Sequence, residues 1–400
     1  MEKNNKNLNV PNLRFPEFAG EWEIHKLSEY LDFKNGLNPD AKRFGRGLPF
    51  ISVMDILADR VICYDNIRAK VEATDKEIEC FGVNKGDLLF QRSSETFEDV
   101  GRANVYMDNR TAIYGGFVIR GRKIGNYDPL FFKYLLATPL ARKRTCRMGA
   151  GAQHFNIGQE GLSKISLHFP SIEEQSKIAN LFSLIDERVE TQKKIIEDLK
   201  KLKDAITHFH HKNELSHSPM VYIGQYITQV PKRNKDAKID RVLSISNKYG
   251  FINQNEQFED REVASADTSN YKVVHKGDFA YNPARINVGS VARLQEFENG
   301  IVSPMYVCFT AKKGLLPAYF ELYLSTSIFK HEMNKRLEGS VRLCLTYESL
   351  CNIKIALPEF NVQKDFVSKV SAILTKIRAE ERLLYLYHNC KQYLLSQMFI

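Results

Sequence analysis

The chain has 400 residues, with 57 Lys and Arg against 48 Asp and Glu for a formal net charge of +9, and it is 43% hydrophobic and 26% charged. That length suits two domains of ordinary size rather than one core, and the composition is that of a soluble globular protein. No apolar run approaches the roughly 20 residues of a membrane span, the polar start Met1–Lys6 leads into no signal segment, and seven cysteines without a Cys-x-x-Cys pair point to reduced thiols in a cytoplasmic protein. The basic excess is compatible with a polyanionic partner without establishing one.

In chain order, a β-prone stretch from Trp22 to Leu31 comes first. A basic, turn-rich loop follows, from Lys34-Asn35-Gly36 to Arg43-Phe44-Gly45-Arg46-Gly47. Alternation predicts a strand over Leu48–Val53. Lys85-Gly86-Asp87 reads as a turn entering a strand, its glycine supplying positive φ and its aspartate bonding local backbone. Asp128-Pro129 predicts an N-cap with proline at the first helical position. One amphipathic helix is expected to run from there to Arg142-Lys143-Arg144 and Arg147, before the glycine-rich loop Gly149–His154. After Pro170, Ser171 and Glu174 have capping-box spacing. The helix they open has apolar positions stepping by four and three: Ile178, Phe182, Ile185, Val189, Ile196, Leu199 and Ile206.

The remainder repeats this order. Val221 to Val230 is β-prone, Pro231-Lys232-Arg233-Asn234-Lys235 is the basic loop, and Leu243–Ser246 a strand. Val274-His275-Lys276-Gly277-Asp278 answers Val83-Asn84-Lys85-Gly86-Asp87. Pro129 recurs as Pro317 and Gln175 as Gln363, both 188 residues on, so no insertion separates these segments. The same spacing maps the helical seam onto Phe366, Val370, Ile373, Ile377, Leu384, Tyr387 and Leu394, and the polar Gln192 onto Glu380.

A 3-4 repeat keeps a narrow apolar seam, the pattern of a coiled coil, and a polar seam residue can fix register. The fold expected is α+β: a tandem duplication of a mixed α/β domain, each copy followed by a long helix. The two helices should pack as an antiparallel coiled coil with pseudo-two-fold symmetry, as a spacer of roughly 60 Å for about 40 residues. The segments expected are 1–20 (N-terminal), 21–170 (first domain), 171–213 (central helix), 214–358 (second domain) and 359–400 (C-terminal helix).

Catalytic signatures are missing. There is no Walker A loop. Gly149-Ala150-Gly151 starts like a dinucleotide fingerprint, but His154 replaces the third glycine and a helix precedes it. Tyr281-Asn282-Pro283-Ala284-Arg285 only partly matches the Asn-Pro-Pro-aromatic motif of amino-methyltransferases. His208, His210 and His211 lack a carboxylate or cysteine partner at ligand spacing, so a solvated helix terminus is expected there rather than a metal site.

Nucleic-acid recognition needs basic groups for phosphates, and amide or guanidinium groups for base edges. The first copy offers Lys34, Asn35, Arg43, Arg46, Arg92, Ser93, Arg102, Gln153 and His154. The second offers Lys232, Arg233, Lys235, Asn282, Arg285, Asn287 and Arg342. They gather at matching places of the repeat, where the copies differ most. A shared scaffold with divergent loops suits a protein that reads two unlike half-sites.

The whole chain resembles the DNA-specificity (S) subunit of type I restriction-modification systems. The resemblance rests on Asn12–Trp22, Lys85-Gly86-Asp87-Leu88-Leu89, the Gln153 loop, and Pro170 before Glu173-Glu174-Gln175. Glu359-Phe360-Asn361-Val362-Gln363 keeps the glutamine in the second copy. It implies two target-recognition domains, each reading half of a bipartite double-stranded DNA site. The helices would then set the gap and dock methyltransferase (M) subunits, two of them, with restriction (R) subunits joining the full complex. Half-sites read from one face of B-DNA lie about 34 Å apart. This chain would be non-catalytic and hold no cofactor or metal; S-adenosylmethionine, ATP and magnesium would belong to the partners. The alternative is a two-headed coiled-coil scaffold for protein partners, with only non-specific DNA affinity.

Overall fold

The computed structural model describes residues 9–151, 154–230, 232–247, 249–254, 267–339 and 342–400. They divide into two compact units, Met1–Lys193 with Arg382–Ile400, and Lys194–Glu381. The boundary cuts both long helices, Ile172–His217 and Phe360–Gln397, so each unit takes one end of each helix.

The first unit runs β1 (Glu23–Lys26), β2 (Leu31–Asn35), β3 (Phe44–Ile51), β4 (Lys70–Val71), β5 (Gly82–Val83) and β6 (Leu88–Gln91). It continues with β7 (Ser93–Ser94), β8 (Ala103–Val105), β9 (Ala112–Tyr114), β10 (Val118–Lys123), β11 (Phe155–Asn156) and β12 (Ser166–Phe169). One sheet, β2-β10-β6-β8, is antiparallel throughout. A second, β4-β3-β9-β5, has its central pair β3–β9 parallel. β1–β12 and β7–β11 are two-stranded ribbons.

The second unit has β13 (Met220–Tyr222), β14 (Ile227–Gln229), β15 (Val242–Ser246), β16 (Gly250–Asn253) and β17 (Lys272–His275). After them come β18 (Phe279–Tyr281), β19 (Val291–Arg293), β20 (Asn299–Val302), β21 (Val307–Ala311) and β22 (Lys354–Ala356). Its sheets are β14-β21-β18-β19 and β16-β15-β20-β17, with β15–β20 parallel, and β13–β22 forms a ribbon. Apart from the β7–β11 ribbon, order and sense match those of the first unit, so the sequence repeat is a repeat of topology.

The repeated motifs have specific local jobs. In both Lys-Gly-Asp turns the glycine has positive φ, +92° at Gly86 and +97° at Gly277. The Asp87 carboxylate accepts from Asn84 N at 2.9 Å and the Asp278 carboxylate from His275 N at 2.8 Å, closing each turn. Gln175 and Gln363 are buried at the starts of the long helices. The Gln175 amide accepts from Asp128 N (3.2 Å) and donates to the Pro170 carbonyl (3.0 Å). Gln363 accepts from Leu316 N (2.8 Å) and donates to the carbonyls of Pro358 and Gly314, both at 2.9 Å. Each glutamine thus ties its long helix to the cap of the helix that begins at Pro129 or Pro317.

Four expectations need correction, the last of them in the second core. The helix expected to run unbroken to Arg147 is two, Pro129–Ala137 and Pro139–Cys146. Thr138 caps the second, and Pro139, lacking an N–H, cannot continue the first. The capping box is half made: Ser171 Oγ accepts from Glu174 N (3.4 Å), but the Glu174 carboxylate pairs with Arg14 at 2.7 Å. The seam is as expected through Leu199 and Tyr387, and then slips. Ile206 is 36% exposed, while Thr207 and His211 are buried. The steps after Leu199 are all fours (Lys203, Thr207, His211), and those after Tyr387 likewise (Lys391, Leu395, Phe399), a departure that unwinds a coiled coil locally.

In each unit the two helix ends run antiparallel and complete the core. Leu395, Met398 and Phe399 join Ile178, Ala179 and Phe182 in the first core. Phe399 packs edge-on to Trp22 at 6.2 Å and lies 5.5 Å from Phe131 between ring centroids. In the second core the places of Phe131 and Phe399 are taken, 188 residues away, by Tyr319 and His211, 4.8 Å apart. His210 stacks on Phe366 at 3.7 Å. This overturns the solvated terminus expected for the histidines: the helix runs on to His217 and His211 is 3% exposed.

Burial, aided by the neighbouring His210 and His208, pushes the His211 imidazole from 6.5 down to about 3. The groups around it are His210 and His208 on its own helix, Tyr319 and Tyr323 from the head, and Phe366 from the C-terminal helix. The unfolded chain binds a proton at this imidazole below about pH 6.5 and the folded chain does not, so stability falls as pH drops from that value toward 3. The slope from this residue is at most ~1.4 kcal/mol per pH unit. Urea titrations at several pH values should show His211→Phe losing this dependence. Gln363→Leu leaves three backbone groups without their partner and should cost about 1–3 kcal/mol in the same assay.

Candidate nucleic-acid interface

Strand register gathers several candidate residues at one end of the antiparallel sheet in the first unit. Asn35 faces Ile119, Gln91 faces Val118, and Phe90 faces Ala103. Asn35, Arg92, Phe117 and Arg102 therefore border a single rim. β7 and β11 add to it: Ser93 Oγ bonds Asn156 Oδ1 at 2.5 Å, and Ile157 N donates to the Arg92 carbonyl at 3.0 Å. Reciprocal backbone bonds of 2.9 Å between Ala150 and Asn156 close a hairpin that presents His154, exposed, at the rim. Gly151 has φ +139°, and a Cβ there would collide with the His154 carbonyl, so only glycine fits. Gln153 lies outside the described residues.

The rim is braced from behind. Arg142 Nη2 donates to the carbonyls of Glu98 (2.8 Å) and Val100 (2.7 Å), holding the loop after β7. Asp99 is held below the usual carboxylate range by the Thr96 hydroxyl and by Arg102, which it pairs at 3.1 Å. Lys34 lies along β2, its Nζ 2.8 Å from Cys80 Sγ and 5.4 Å from the Phe81 ring centroid.

Arg43 and Arg46 sit apart, at the edge formed by β3 and β4. Arg43 makes a two-pronged pair with Glu77 (3.0 and 2.5 Å) and also donates to the Glu72 carbonyl. Arg43 and the Thr74 backbone together hold the Glu77 carboxyl down to about 2. Arg46, largely exposed, pairs with Glu72 at 2.7 Å.

The second unit builds the same rim with other side chains. Asn282 follows β18 as Arg92 follows β6, and its Nδ2 lies 3.7 Å from Met305 Sδ. Arg285 and Asn287 are exposed on the loop between β18 and β19. Glu338 and Cys344 exchange backbone bonds of 2.9 and 2.8 Å, closing the matching hairpin. Gly339 (φ +120°) and Arg342 stand where Gly151 and His154 stand, 188 residues earlier. The hairpin docks through Leu345 N onto the Pro283 carbonyl at 3.1 Å. Lys232, Arg233 and Lys235 are exposed on the segment beside β17, with Arg233 bonded to Asn270 Oδ1 at 3.0 Å.

Sequence reasoning missed Phe117, Met305, Asn156 and Arg142. The first two are apolar and the others owe their place to pairings between distant segments. Among the described residues no group of three or more His, Cys, Asp or Glu side chains is arranged to hold a metal, and no helix is long and apolar enough to cross a membrane.

Residues 19–201 match the family model of the type I restriction modification DNA specificity domain. The chain is 24% identical to the type I restriction enzyme MjaVIII specificity subunit of Methanocaldococcus jannaschii, over 92% of this chain and 90% of that one. The similarity to a type I specificity subunit thus spans nearly the whole chain, and the specificity-domain model covers much of its first half. The putative MjaX specificity subunit of the same organism is 23% identical over 94% and 93% of the two chains. Among solved structures, the type I S subunit from M. genitalium has a TM-score of 0.57 at 15% identity, covering 98% of this chain and 99% of that one. A chain from a structure of type I system assembly and conformational transition gives 0.56 at 12% identity, over 94% and 97%. These two likenesses establish the fold.

Arg43→Gln should return the Glu77 carboxyl toward its ordinary value, read by NMR titration, and lower the thermal midpoint of the first unit.

Proposed function

We propose that this chain is the sequence-reading subunit of a type I restriction-modification complex. Each rim reads one half of a bipartite duplex site. The observation that carries this reading is one rim built twice on the same topology with unlike side chains: Arg92 against Asn282, His154 against Arg342. Guanidinium and amide groups pair with base edges in the major groove, and the exposed lysines and arginines supply phosphate contacts. Within this reading Asn35, Arg92, Ser93, Arg102 and His154 serve one half-site, and Asn282, Arg285, Asn287 and Arg342 the other. Lys232, Arg233, Lys235 and Arg46 contact backbone phosphates, and Arg43 and Lys34 support the fold beneath them.

The chain itself is non-catalytic in this proposal and works in the cytoplasm. Two methyltransferase subunits bring S-adenosylmethionine, and restriction subunits bring ATP and magnesium chemistry. The long helices set the gap and carry the dock. Leu202 and Phe209 on the central helix, and Tyr385, Leu386 and Tyr393 on the C-terminal helix, are exposed apolar residues that a partner helix would cover.

Selection of duplexes from a random pool by the assembled complex tests this. The expected product is a split motif, with Arg342→Ala relaxing one half only. Sequence-indifferent binding that collapses with salt would instead support the scaffold reading. Deleting two heptads from Ile178–Leu199, together with their counterparts in Phe366–Tyr387, should change the preferred gap length.

A further inference from the structure

At one matching turn, each rim carries a large apolar side chain that folding does not explain. Phe117 is the third residue of a four-residue turn closed by Val118 N on the Gly115 carbonyl at 2.9 Å. Met305 is the third residue of a turn closed by Tyr306 N on the Ser303 carbonyl at 3.1 Å. Both turns lead straight into the strand at the centre of the rim, β10 and β21. That turn position ordinarily favours Asn, Asp or Gly. Here it holds Phe, 68% exposed, and Met, 61% exposed.

The turns are also held firmly. Gly115 N donates to the Ile51 carbonyl (3.0 Å), and Arg92 N donates to the Phe117 carbonyl (2.8 Å). A Cβ on Gly116 would run into the Asn38 amide, so the backbone is packed close beneath the phenyl ring. In the second unit Pro304 limits the turn before Met305. A lone exposed apolar residue needs no explanation. The same anomaly at the same turn position in two diverged copies, each beside the polar residue that follows the central strand, does need one.

Base-pair edges offer hydrogen-bonding groups almost throughout. The one apolar mark is the C5-methyl of thymine, in the major groove. Resting on the reading above, we infer that Phe117 and Met305 are specificity-determining residues, each recognising an A·T pair of its half-site by contact with the thymine methyl. Arg92 and Asn282 beside them address neighbouring polar edges. The apolar residues are thus part of the readout rather than bystanders on the surface.

The test uses the full chain with its partner subunits. A split motif is first selected from random duplex, and each thymine in it is then replaced singly by deoxyuridine. In the wild-type complex one replacement in each half should weaken binding about fourfold, the loss expected for one buried methyl. Phe117→Ala should be insensitive to its replacement and keep the sensitivity in the other half; Met305→Ala should do the converse. Both side chains are exposed, and unchanged thermal midpoints will show that the variants fold. A split motif whose deoxyuridine sensitivity survives both substitutions overturns the inference and leaves the half-site reading intact. Equal weakening on thymine and deoxyuridine also overturns it, pointing to a wedge between bases, which enhanced 2-aminopurine fluorescence at the step would report. Absence of any split motif overturns both readings.

Discussion

The rest of the structure depends on how the helix ends are buried. Each head has an aromatic residue on its repeated helix, Phe131 or Tyr319, that a long helix arriving from the other half of the sequence helps to cover. Phe399 and His211 do this at matching positions. Neither helix can leave its place without opening a core, and the C-terminal residues Met398 and Phe399 are as central to the first unit as Trp22 near its start. The late run of four-residue steps in the seam follows from this. It turns the last helical turns away from a narrow coiled-coil stripe and onto the head.

That constraint bears on the two copies differently. The first fills the junction with Trp22, Phe131, Phe182 and Phe399, and stabilises it by apolar burial and edge-on ring packing. The second sets His210, His211 and Tyr319 in the same region, groups that are costly to bury when charged. The second core therefore carries an acid sensitivity at this junction, where the first has only apolar rings, although their topology is the same. Divergence between the copies reaches beneath the rims into the junctions that hold them.

The rims show how a duplicated scaffold can vary its surface side chains without refolding. Glycines at Gly151 and Gly339, and the reciprocal hairpin bonds around them, fix the backbone; Arg142 braces one loop from behind. Side chains at Arg92, His154 and Phe117, or at Asn282, Arg342 and Met305, stand on that frame and can change independently. Arg43 shows the opposite case. A basic residue in a glycine-rich loop has its donors drawn into Glu77 and the Glu72 backbone, and it serves the fold first.

Local and periodic features were legible in the sequence: the duplication, the proline caps, the Lys-Gly-Asp turns, the long helices and most of their seam. Each depends on residues close in the chain or on regular spacing, so the pattern carries the geometry. The resemblance to type I specificity subunits was legible for the same reason, because order and spacing of short motifs survive where identity does not. Tertiary structure alone decided which basic residues share a rim, that the histidines lie in a core, and that Phe117 and Met305 stand out at matching turns. Those outcomes rest on strand pairings between segments tens to hundreds of residues apart and on a helix borrowed from the other copy. No local propensity encodes such partners.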